Sequence, residues 1–396
     1  MSTRIIRPST SPSFPDPGVT HNISARVFAA ARTHAQVQTG TGTFDFTVGV
    51  DGTLQQIMDQ STAALAGRRV RVPSGVWTGP NNAGLTGLNK DYGNVTVVFE
   101  PGSILRGASG IEMYGQIRNL HFEGSGSVQG DGTYVFSEGI IIDANRLDKG
   151  SNGLPCANIS VDGLTVEPIP GTVALQRGGI TIWGGDLITI KNTTIHDCAS
   201  NAFAGFGSAS SGISVGHARR VAAAGSPRLL IENNHIYNVL EIQDGESADR
   251  NGIILDLFHG DFTLYADRLI GDVHVLGNDI HDVSGRGIQL LCAGVSDSAV
   301  TVNGNQVHGQ WARRLGGSNP ETAIGGYGAG TAGYVLCSFN TVTFDPGNGG
   351  KAAYNFISFD GDGPGVLGSN NHVIGTGTAI AWSNSRTNTP PAGFVT

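Results

Sequence analysis

Acidic residues gather in the segment LEIQDGESADRN (240–251), immediately before a short apolar stretch that ends at Asp256. A pair of carboxyl groups is what glycoside hydrolysis requires, because one protonates the leaving oxygen and the other acts as nucleophile or activates water. The two groups must lie about 5–5.5 Å or about 6.5–9.5 Å apart, depending on the stereochemical route. Asp256, paired with Asp249 or Glu246, is therefore the first candidate for catalysis.

A second group of reactive side chains is basic and aromatic. Its members are Trp311, Arg313 and Arg314 in HGQWARRLGGSNPE (308–321), Tyr327 on the strand that follows, and His259 just after the strand at 252–257. A β-elimination needs a cation to neutralise a uronate carboxylate and a base to remove a proton. This group therefore predicts cleavage of a polysaccharide by elimination, as the alternative to hydrolysis.

The elements that must position these residues repeat along the chain. Each copy has two alternating apolar residues, a polar turn, usually an Asn, and a further apolar residue. The seven copies begin at residues 159, 188, 229, 273, 300, 335 and 366. Alternation with period two predicts a strand, a bend and a second short strand in each copy. Stacked copies would align five asparagines whose amides bond one another: Asn234, Asn278, Asn305, Asn340 and Asn371.

A second series of strands lies between these copies, and most of them open with Gly. Examples are GIIIDAN (139–145), GITIWGG (179–185), GISVGHA (212–218) and GIILDLFHG (252–260). One repeat is therefore three short strands, and repeats that cannot bury a face alone must stack. The predicted fold is all-β, a right-handed parallel β-helix, with residues 52–66 as a short N-terminal capping helix.

Alternation also predicts which side chains of the Gly-opened strands point outward. The fourth residue after each opening residue forms one outward column: Asp143, Trp183, Gly216, Asp256, Leu291, Tyr327, Asp360 and Ser383. Adjacent rungs lie roughly 4.8 Å apart, so a surface across several rungs suits an oligosaccharide. Trp183 and Tyr327 are predicted platforms for sugar rings, and Gln289 in the neighbouring column is a predicted substrate contact.

The repeat resembles the pectate-lyase-like right-handed parallel β-helix superfamily, over roughly residues 52–384. That superfamily includes polysaccharide lyases, several glycoside hydrolase families and phage tailspikes. The paired-Asp and Arg-x-Lys motifs of the polygalacturonases and the Asp-Pro-His-Glu motif of the alginate epimerases do not occur, so no single catalytic family is indicated. The resemblance implies a polysaccharide partner, and its tailspike members imply a homotrimer.

Three functions stay open at this point. They are carboxylate-pair hydrolysis by a tailspike-like depolymerase, β-elimination, and glycan binding without cleavage by a virion spike or fibre. A close acid pair would favour hydrolysis, a cluster of Arg, Lys and Tyr would favour elimination, and an aromatic platform with neither would favour binding alone.

Composition excludes several other classes of protein. The net charge is −8 and charged residues make up only 14% of the chain, which argues against a nucleic-acid partner. No segment is long and apolar enough to insert into a membrane. The four cysteines are widely spaced, with Cys337 at an inward strand position, so neither a metal nor another cofactor is predicted.

The chain divides into three predicted parts. Residues 1–45 form an N-terminal arm rich in Pro, Ser and Thr, with possible docking to a larger assembly. Residues 46–384 form the β-helix, and 385–396 form a short tail. No signal peptide is visible, which favours a virion-associated protein or one made in the cytoplasm and released, with secretion by a non-Sec route as the alternative.

Overall fold

The computed structural model describes fourteen segments of the chain. They are residues 43–79, 83–131, 138–172, 178–200, 211–216, 228–241, 250–256, 273–291, 299–309, 323–327, 334–343, 357–360, 365–367 and 370–374. The predicted arm and the predicted tail therefore lie outside or almost outside the described residues, and the predicted domain boundaries stay predictions.

The described chain forms three long parallel sheets, of eleven, nine and ten strands. The first two strands lie in the same sheet; after them, successive strands along the chain belong to successive sheets, so each turn of the coil adds one strand to each sheet. The fold is the predicted right-handed parallel β-helix. Strands too short to be stable alone gain all their hydrogen-bond partners from the rungs before and after.

The first sheet carries the first strand of each predicted copy. Its strands, in stacking order, are β1 (Phe46–Thr47), β2 (Arg69–Val72), β5 (Asp91–Phe99), β8 (Arg118–Gly124), β11 (Cys156–Asp162), β14 (Gly185–Lys191), β17 (Leu229–Glu232), β20 (Val273–Leu276), β23 (Ala299–Asn303), β26 (Tyr334–Ser338) and β29 (Gly365–Leu367).

The second sheet carries the Gly-opened strands. They are β4 (Ala83–Leu88), β7 (Ser109–Tyr114), β10 (Glu138–Asp143), β13 (Gly178–Trp183), β16 (Ser211–Gly216), β19 (Ile253–Asp256), β22 (Ile288–Leu291), β25 (Ile324–Tyr327) and β28 (Ile357–Asp360).

The third sheet carries the strand that follows the bend of each copy. Its members are β3 (Gly75–Thr78), β6 (Ser103–Gly107), β9 (Ser127–Gly130), β12 (Thr165–Pro168), β15 (Thr194–Ser200), β18 (His235–Glu241), β21 (Asp279–Val283), β24 (Gln306–His308), β27 (Thr341–Thr343) and β30 (His372–Ile374).

The interior of the coil is a continuous apolar core built from the inward positions of all three sheets. On the second sheet, for example, Ile180 lies in register with Ile213, and Ile213 with Ile253, and all three are fully buried. Burying a side chain of this size contributes roughly 1.5–3 kcal/mol. Cys337 belongs to this core as predicted, and its burial raises the pKa of the thiol to about 12.

The predicted asparagine ladder runs along the bend between the first and third sheets. Each Nδ2 donates to the Oδ1 of the next asparagine, at 2.9 Å from Asn234 to Asn278 and 3.0 Å from Asn340 to Asn371. Asn278 and Asn305 supply the two intermediate bonds, each of 2.9 Å. Because all five amides are buried, these bonds satisfy polar groups that water cannot reach.

The predicted capping helix at 52–66 is present as two short helices. They are α1 (Leu54–Met58) and α2 (Thr62–Leu65). The helix breaks because the Ser61 side chain accepts a bond from the backbone N–H of Ala64 and so begins a new helix. Leu54, Ile57 and Leu65 are buried and cover the apolar core at this end of the coil.

Within the part of the chain that is described, no helix has the length and apolar character needed to cross a membrane.

Candidate functional site

The residues of the outward column predicted for the second sheet lie in register from Asp143 to Asp360, and Ser383 lies outside the described residues. Asp143 pairs with Trp183, Trp183 with Gly216, and Gly216 with Asp256. The column continues through Leu291 and Tyr327 to Asp360. It also extends two rungs further toward the N-terminus than predicted, because Tyr114 on β7 pairs with Asp143 and Leu88 on β4 pairs with Tyr114.

The neighbouring outward column of the same sheet includes the half-buried Glu112 on β7 and is buried from β10 to β22. Its members Ile141, Thr181, Ser214, Ile254 and Gln289 are all at most 5% exposed. Asn251 Nδ2 donates to Gln289 Oε1 at 2.6 Å, so this oxygen, predicted to contact substrate, is engaged within the protein. A ligand therefore meets the second sheet along the column that holds Tyr114 and Trp183.

Trp183 ends β13, half-buried, with its indole over the next rung. A Cβ added at Gly216 would lie 2.8 Å from Trp183 Nε1 and 3.0 Å from Trp183 Cδ1. Glycine at 216 therefore makes room for the ring, and any larger residue would displace it. An aromatic ring held in this way is a platform for an apolar face of a sugar ring.

Two cations lie against the ring of Tyr114. Arg146 Cζ is 5.6 Å and Lys149 Nζ is 5.9 Å from the centroid of that ring. Both distances are within the range of cation–π attraction, which is about 6 Å. Lys149 is exposed and Arg146 half-buried, so the positive charge faces solvent at the edge of the column.

The segment that carries these cations is held by local contacts. Arg146 donates two hydrogen bonds of 2.8 Å to the carboxylate of Asp148. Residues Leu147–Lys149 form a 3-10 helix. The amide of Asn89, a residue in the left-handed region at φ 46°, donates to Gly150 O at 2.8 Å and accepts from Asn152 N at 3.0 Å. The cations are therefore fixed relative to β4 and β7.

Glu112 lies two residues before Tyr114 on the same outward face of β7. The Tyr114 hydroxyl donates a short hydrogen bond to Glu112 Oε1. Burial, and then this bond to Glu112, raise the pKa of the Tyr114 phenol well above its ordinary value. Tyr114 is therefore a proton donor near neutral pH, with a carboxylate at hand to take or return its proton.

Asp143, between Tyr114 and Trp183 in the column, has a different position. It is only 3% exposed, and its Oδ1 accepts from the backbone N–H of Asn145 at 2.8 Å. A carboxylate bonded and buried in this way shapes the turn after β10 and offers little to a ligand.

The remaining predicted site residues fall into two groups. Six of them lie outside the described residues: Asp249, Glu246, His259, Trp311, Arg313 and Arg314. Asp256 and Tyr327 are placed by their strands on the outward column, at the rungs given above. Their proposed roles stay predictions.

Sequence reasoning missed Tyr114, Glu112, Arg146 and Lys149. The signal for Tyr114 and Glu112 was present, because GIEMYG (110–115) has the same Gly-opened pattern as the later strands and places Tyr114 fourth after Gly110. Arg146 and Lys149 carried no comparable signal, since they follow the strand rather than occupy it.

Sequence reasoning also missed a second outward face, on the third sheet. The residue after the last apolar position of four successive copies is His196, Tyr237, His281 and His308, on successive rungs. Their rings stack, with centroids 4.9 Å apart for His196 and Tyr237 and 5.2 Å apart for Tyr237 and His281. Comparing the residue that follows the last apolar position in successive copies would have identified this face from the sequence.

The architecture defines the class of protein, and the sequence agrees with it. The chain belongs to the family described as right handed beta helix region, whose model matches residues 116–333. This confirms the predicted membership of the pectate-lyase-like right-handed parallel β-helix superfamily. No curated protein matches the sequence.

Two solved structures are similar in fold. An alginate lyase from Paenibacillus sp. str. FPU-7 is 13% identical, with a TM-score of 0.41, over 72% of this chain and 90% of that one. A family 28 exopolygalacturonase from Yersinia enterocolitica is 12% identical, with a TM-score of 0.29, over 81% of this chain and 75% of that one. At these values neither likeness indicates an activity for this chain.

Proposed function

We propose that the protein binds an acidic polysaccharide across the rungs of the second sheet and cleaves it by β-elimination. The observation that carries the proposal is the group formed by Tyr114, Arg146 and Lys149, in which Tyr114 lies in the same outward column as Trp183. Such a set of Arg, Lys and Tyr is what elimination requires, and the indole supplies the platform for a neighbouring sugar.

In the proposed reaction, Lys149 and Arg146 pair with the carboxylate of a uronate and so make the hydrogen on the adjacent carbon, C5, more acidic. Glu112 takes that proton while the C4–O4 bond breaks and a C4–C5 double bond forms. Tyr114 gives its proton to O4 of the leaving chain. Glu112 then returns a proton to Tyr114 through their hydrogen bond, which restores both groups.

Carboxylate-pair hydrolysis fits this part of the column less well. Glu112 and Asp143 lie on adjacent rungs, about 8 Å apart by strand spacing and rise, which is within the range for an inverting hydrolase. However, Asp143 is buried and bonded to the Asn145 N–H, so it has no free face toward a ligand. The predicted pair of Asp256 with Asp249 or Glu246 is therefore the hydrolytic alternative for the experiment to distinguish.

The test is incubation of the full chain with a panel of uronate-containing and neutral polysaccharides. Reducing ends and the ultraviolet absorbance of unsaturated uronates are followed together. Elimination raises both signals, and Tyr114→Phe should lower kcat by about 10²–10⁴-fold because it removes the acid. Lys149→Ala should mainly raise KM.

Two variants serve as controls in this assay. Tyr237→Phe removes a hydroxyl of the same kind from the third sheet and should leave the rate unchanged. Reducing ends that appear without absorbance and vanish in Asp256→Asn would establish the hydrolytic alternative. Binding without either signal would leave a glycan-binding protein and overturn the catalytic proposal.

The wider setting proposed for the protein is that of a tailspike-like depolymerase on a virion. This setting includes a homotrimer and docking of residues 1–45 to a larger assembly. Its support is the resemblance of the repeat and the composition of the arm. Light scattering of the purified full chain measures the oligomeric mass directly.

A further inference from the structure

The outward face of the third sheet carries two adjacent columns of polar rings and carboxylates. His235 and Asp279 are in register in one column, and Tyr237 and His281 in the other. His308 follows His281 on the next rung, with ring centroids 4.9 Å apart. Ligating groups from three successive rungs therefore meet on one surface.

Two imidazole nitrogens face each other across neighbouring rungs of this surface. His235 Nε2 lies 3.0 Å from His281 Nε2. Asp279 stands beside them, with its Oδ2 4.0 Å from His235 Nε2. Its other oxygen, Oδ1, accepts a 2.7 Å bond from His308 Nε2.

The tautomer of His281 follows from the partner of its Nδ1 atom. His281 Nδ1 lies 2.6 Å from Asp282 Oδ2, and since a carboxylate can only accept, Nδ1 carries the proton. In the neutral ring, His281 Nε2 then carries a lone pair that points at His235 Nε2. Asp282 reaches the ring because its backbone is in the left-handed region, at φ 54°.

An imidazole whose other nitrogen donates to a carboxylate is the arrangement that orients histidine ligands of metals. Two nitrogens bound to one tetrahedral ion, each at about 2.0–2.1 Å, lie about 3.3 Å apart. The observed 3.0 Å is close to that separation. In the absence of an ion, His235 Nε2–H donates to the lone pair of His281 Nε2. When an ion binds, that proton moves to His235 Nδ1, and both rings turn so that the two lone pairs meet at the ion.

We propose that His235 Nε2 and His281 Nε2 chelate a divalent transition metal ion such as Zn²⁺, Ni²⁺ or Cu²⁺, with Asp279 as the third ligand. Imidazole nitrogen with one carboxylate suits these ions rather than Ca²⁺ or Mg²⁺. In the described part of the chain, no three His, Cys, Asp or Glu side chains are arranged to hold a metal ion as they stand. Asp279 therefore has to turn from His308 toward the ion when it binds.

The surface leaves room for such an ion. The side chains of His235, His281 and Asp279 are 27%, 22% and 36% exposed. Solvent reaches all three, and water can complete the coordination shell. The ion would join β18 to β21 and present open coordination positions to a ligand that lies across the rungs.

The test is titration of the full, untagged chain with NiCl₂ and with ZnCl₂ by calorimetry at pH 7.5. We expect one ion per chain. His235→Gln and His281→Asn should each weaken binding at least tenfold. Asp282→Asn, which removes the carboxylate that accepts from the second nitrogen of His281, should weaken it by about ten- to a hundredfold.

His372→Gln is the matched control, because His372 is an exposed histidine in the same column as His235 and Asp279, further along the third sheet. It should bind as the wild type does. Absence of binding, or binding that survives both ligand substitutions, would overturn the proposal, as would equal weakening by His372→Gln. Thermal unfolding of each variant in chelator confirms that it folds.

Discussion

Trp183 keeps its position over the next rung because residue 216 is glycine. Three indole atoms, Nε1, Cδ1 and Cε2, lie 2.8–3.2 Å from the position that a Cβ at Gly216 would occupy. The same requirement at Gly212 has another cause, since a Cβ there would lie 2.3 Å from Ile236 Cγ2 in the core and 2.8 Å from the Gly252 carbonyl oxygen. Gly216 therefore makes room for the indole of Trp183, whereas Gly212 makes room for atoms of the core and of the neighbouring backbone.

This difference predicts opposite outcomes for two alanine substitutions. Gly216→Ala should swing the indole outward, with a change in unfolding free energy of less than about 1 kcal/mol, because an outward-facing side chain moves easily. The fluorescence of Trp183 should shift to longer wavelength, and glycan binding should weaken.

Gly212→Ala is the contrast in the same strand. It meets core and backbone atoms, and overpacking of this kind costs about 1–3 kcal/mol or more. Thermal unfolding and fluorescence of the two variants check both expectations. Equal destabilisation by the two substitutions would contradict the role assigned to Gly216.

Ion pairs between rungs hold the strands of the third sheet together. Glu167 on β12 lies 3.3 Å from His196 Nε2 on β15, and Gln129 Nε2 on β9 donates to its other oxygen at 2.8 Å. The hydrogen bond with His196 is the main reason that the pKa of Glu167 falls to about 2. The same bond is the main cause that raises the pKa of His196 above its ordinary 6.5.

The contribution of this pair to stability falls both at acidic and at basic pH. The lowered pKa of Glu167 stabilises the fold above pH 4.5, and this part is lost as pH falls toward 2. The raised pKa of His196 stabilises the fold below pH 6.5, and this part is lost as pH rises past the folded value. The full effect is therefore present between those two limits.

Glu167→Gln should lower the free energy of unfolding by about 1–2 kcal/mol at pH 5.5 and by less at pH 9. Urea denaturation of both proteins at the two pH values measures the difference. Glu232→Gln, an outward residue of the first sheet, is the control and should show no such change. A difference that does not vary with pH would refute the ion pair as its cause.

The asparagine ladder acts on the scale of the whole molecule, since it joins five rungs along the axis of the coil. Asn305 donates to Asn340 Oδ1 and to Val275 O, and its own Oδ1 accepts from the backbone N–H and the side chain of Asn278. Loss of this side chain leaves buried donors and acceptors on both neighbouring rungs without a partner.

Asn305→Ala should therefore destabilise the protein by about 2–4 kcal/mol, given roughly 1–3 kcal/mol for each buried group left without a partner. Gln306→Ala, at the adjacent outward position, should change stability by less than about 0.5 kcal/mol. Thermal unfolding of the two variants measures the contrast. A small effect at Asn305 would mean that water replaces the amide.

The amino-acid sequence by itself determined the architecture, the register of the outward column on the second sheet and the asparagine ladder. The reason is that alternation within a strand is local, so each strand's own residues decide which side chains face the core. Stacking of equivalent rungs then places Trp183 beside Gly216 and Asn278 beside Asn305 without further information. The break between α1 and α2 was also encoded locally, at Ser61, although it was read as one continuous helix.

Only the tertiary structure decided which reactive groups meet. Arg146 and Lys149 reach the Tyr114 ring because a turn folds back onto an earlier rung, and Asn89, far away in sequence, holds that turn. His235 meets His281 diagonally across rungs, at a distance set by side-chain rotation and by the left-handed backbone of Asp282. Gln289 and Asp143 face outward yet are buried. Contacts of these kinds depend on the paths of unequal connections and on side-chain torsions, and a pattern with period two specifies neither.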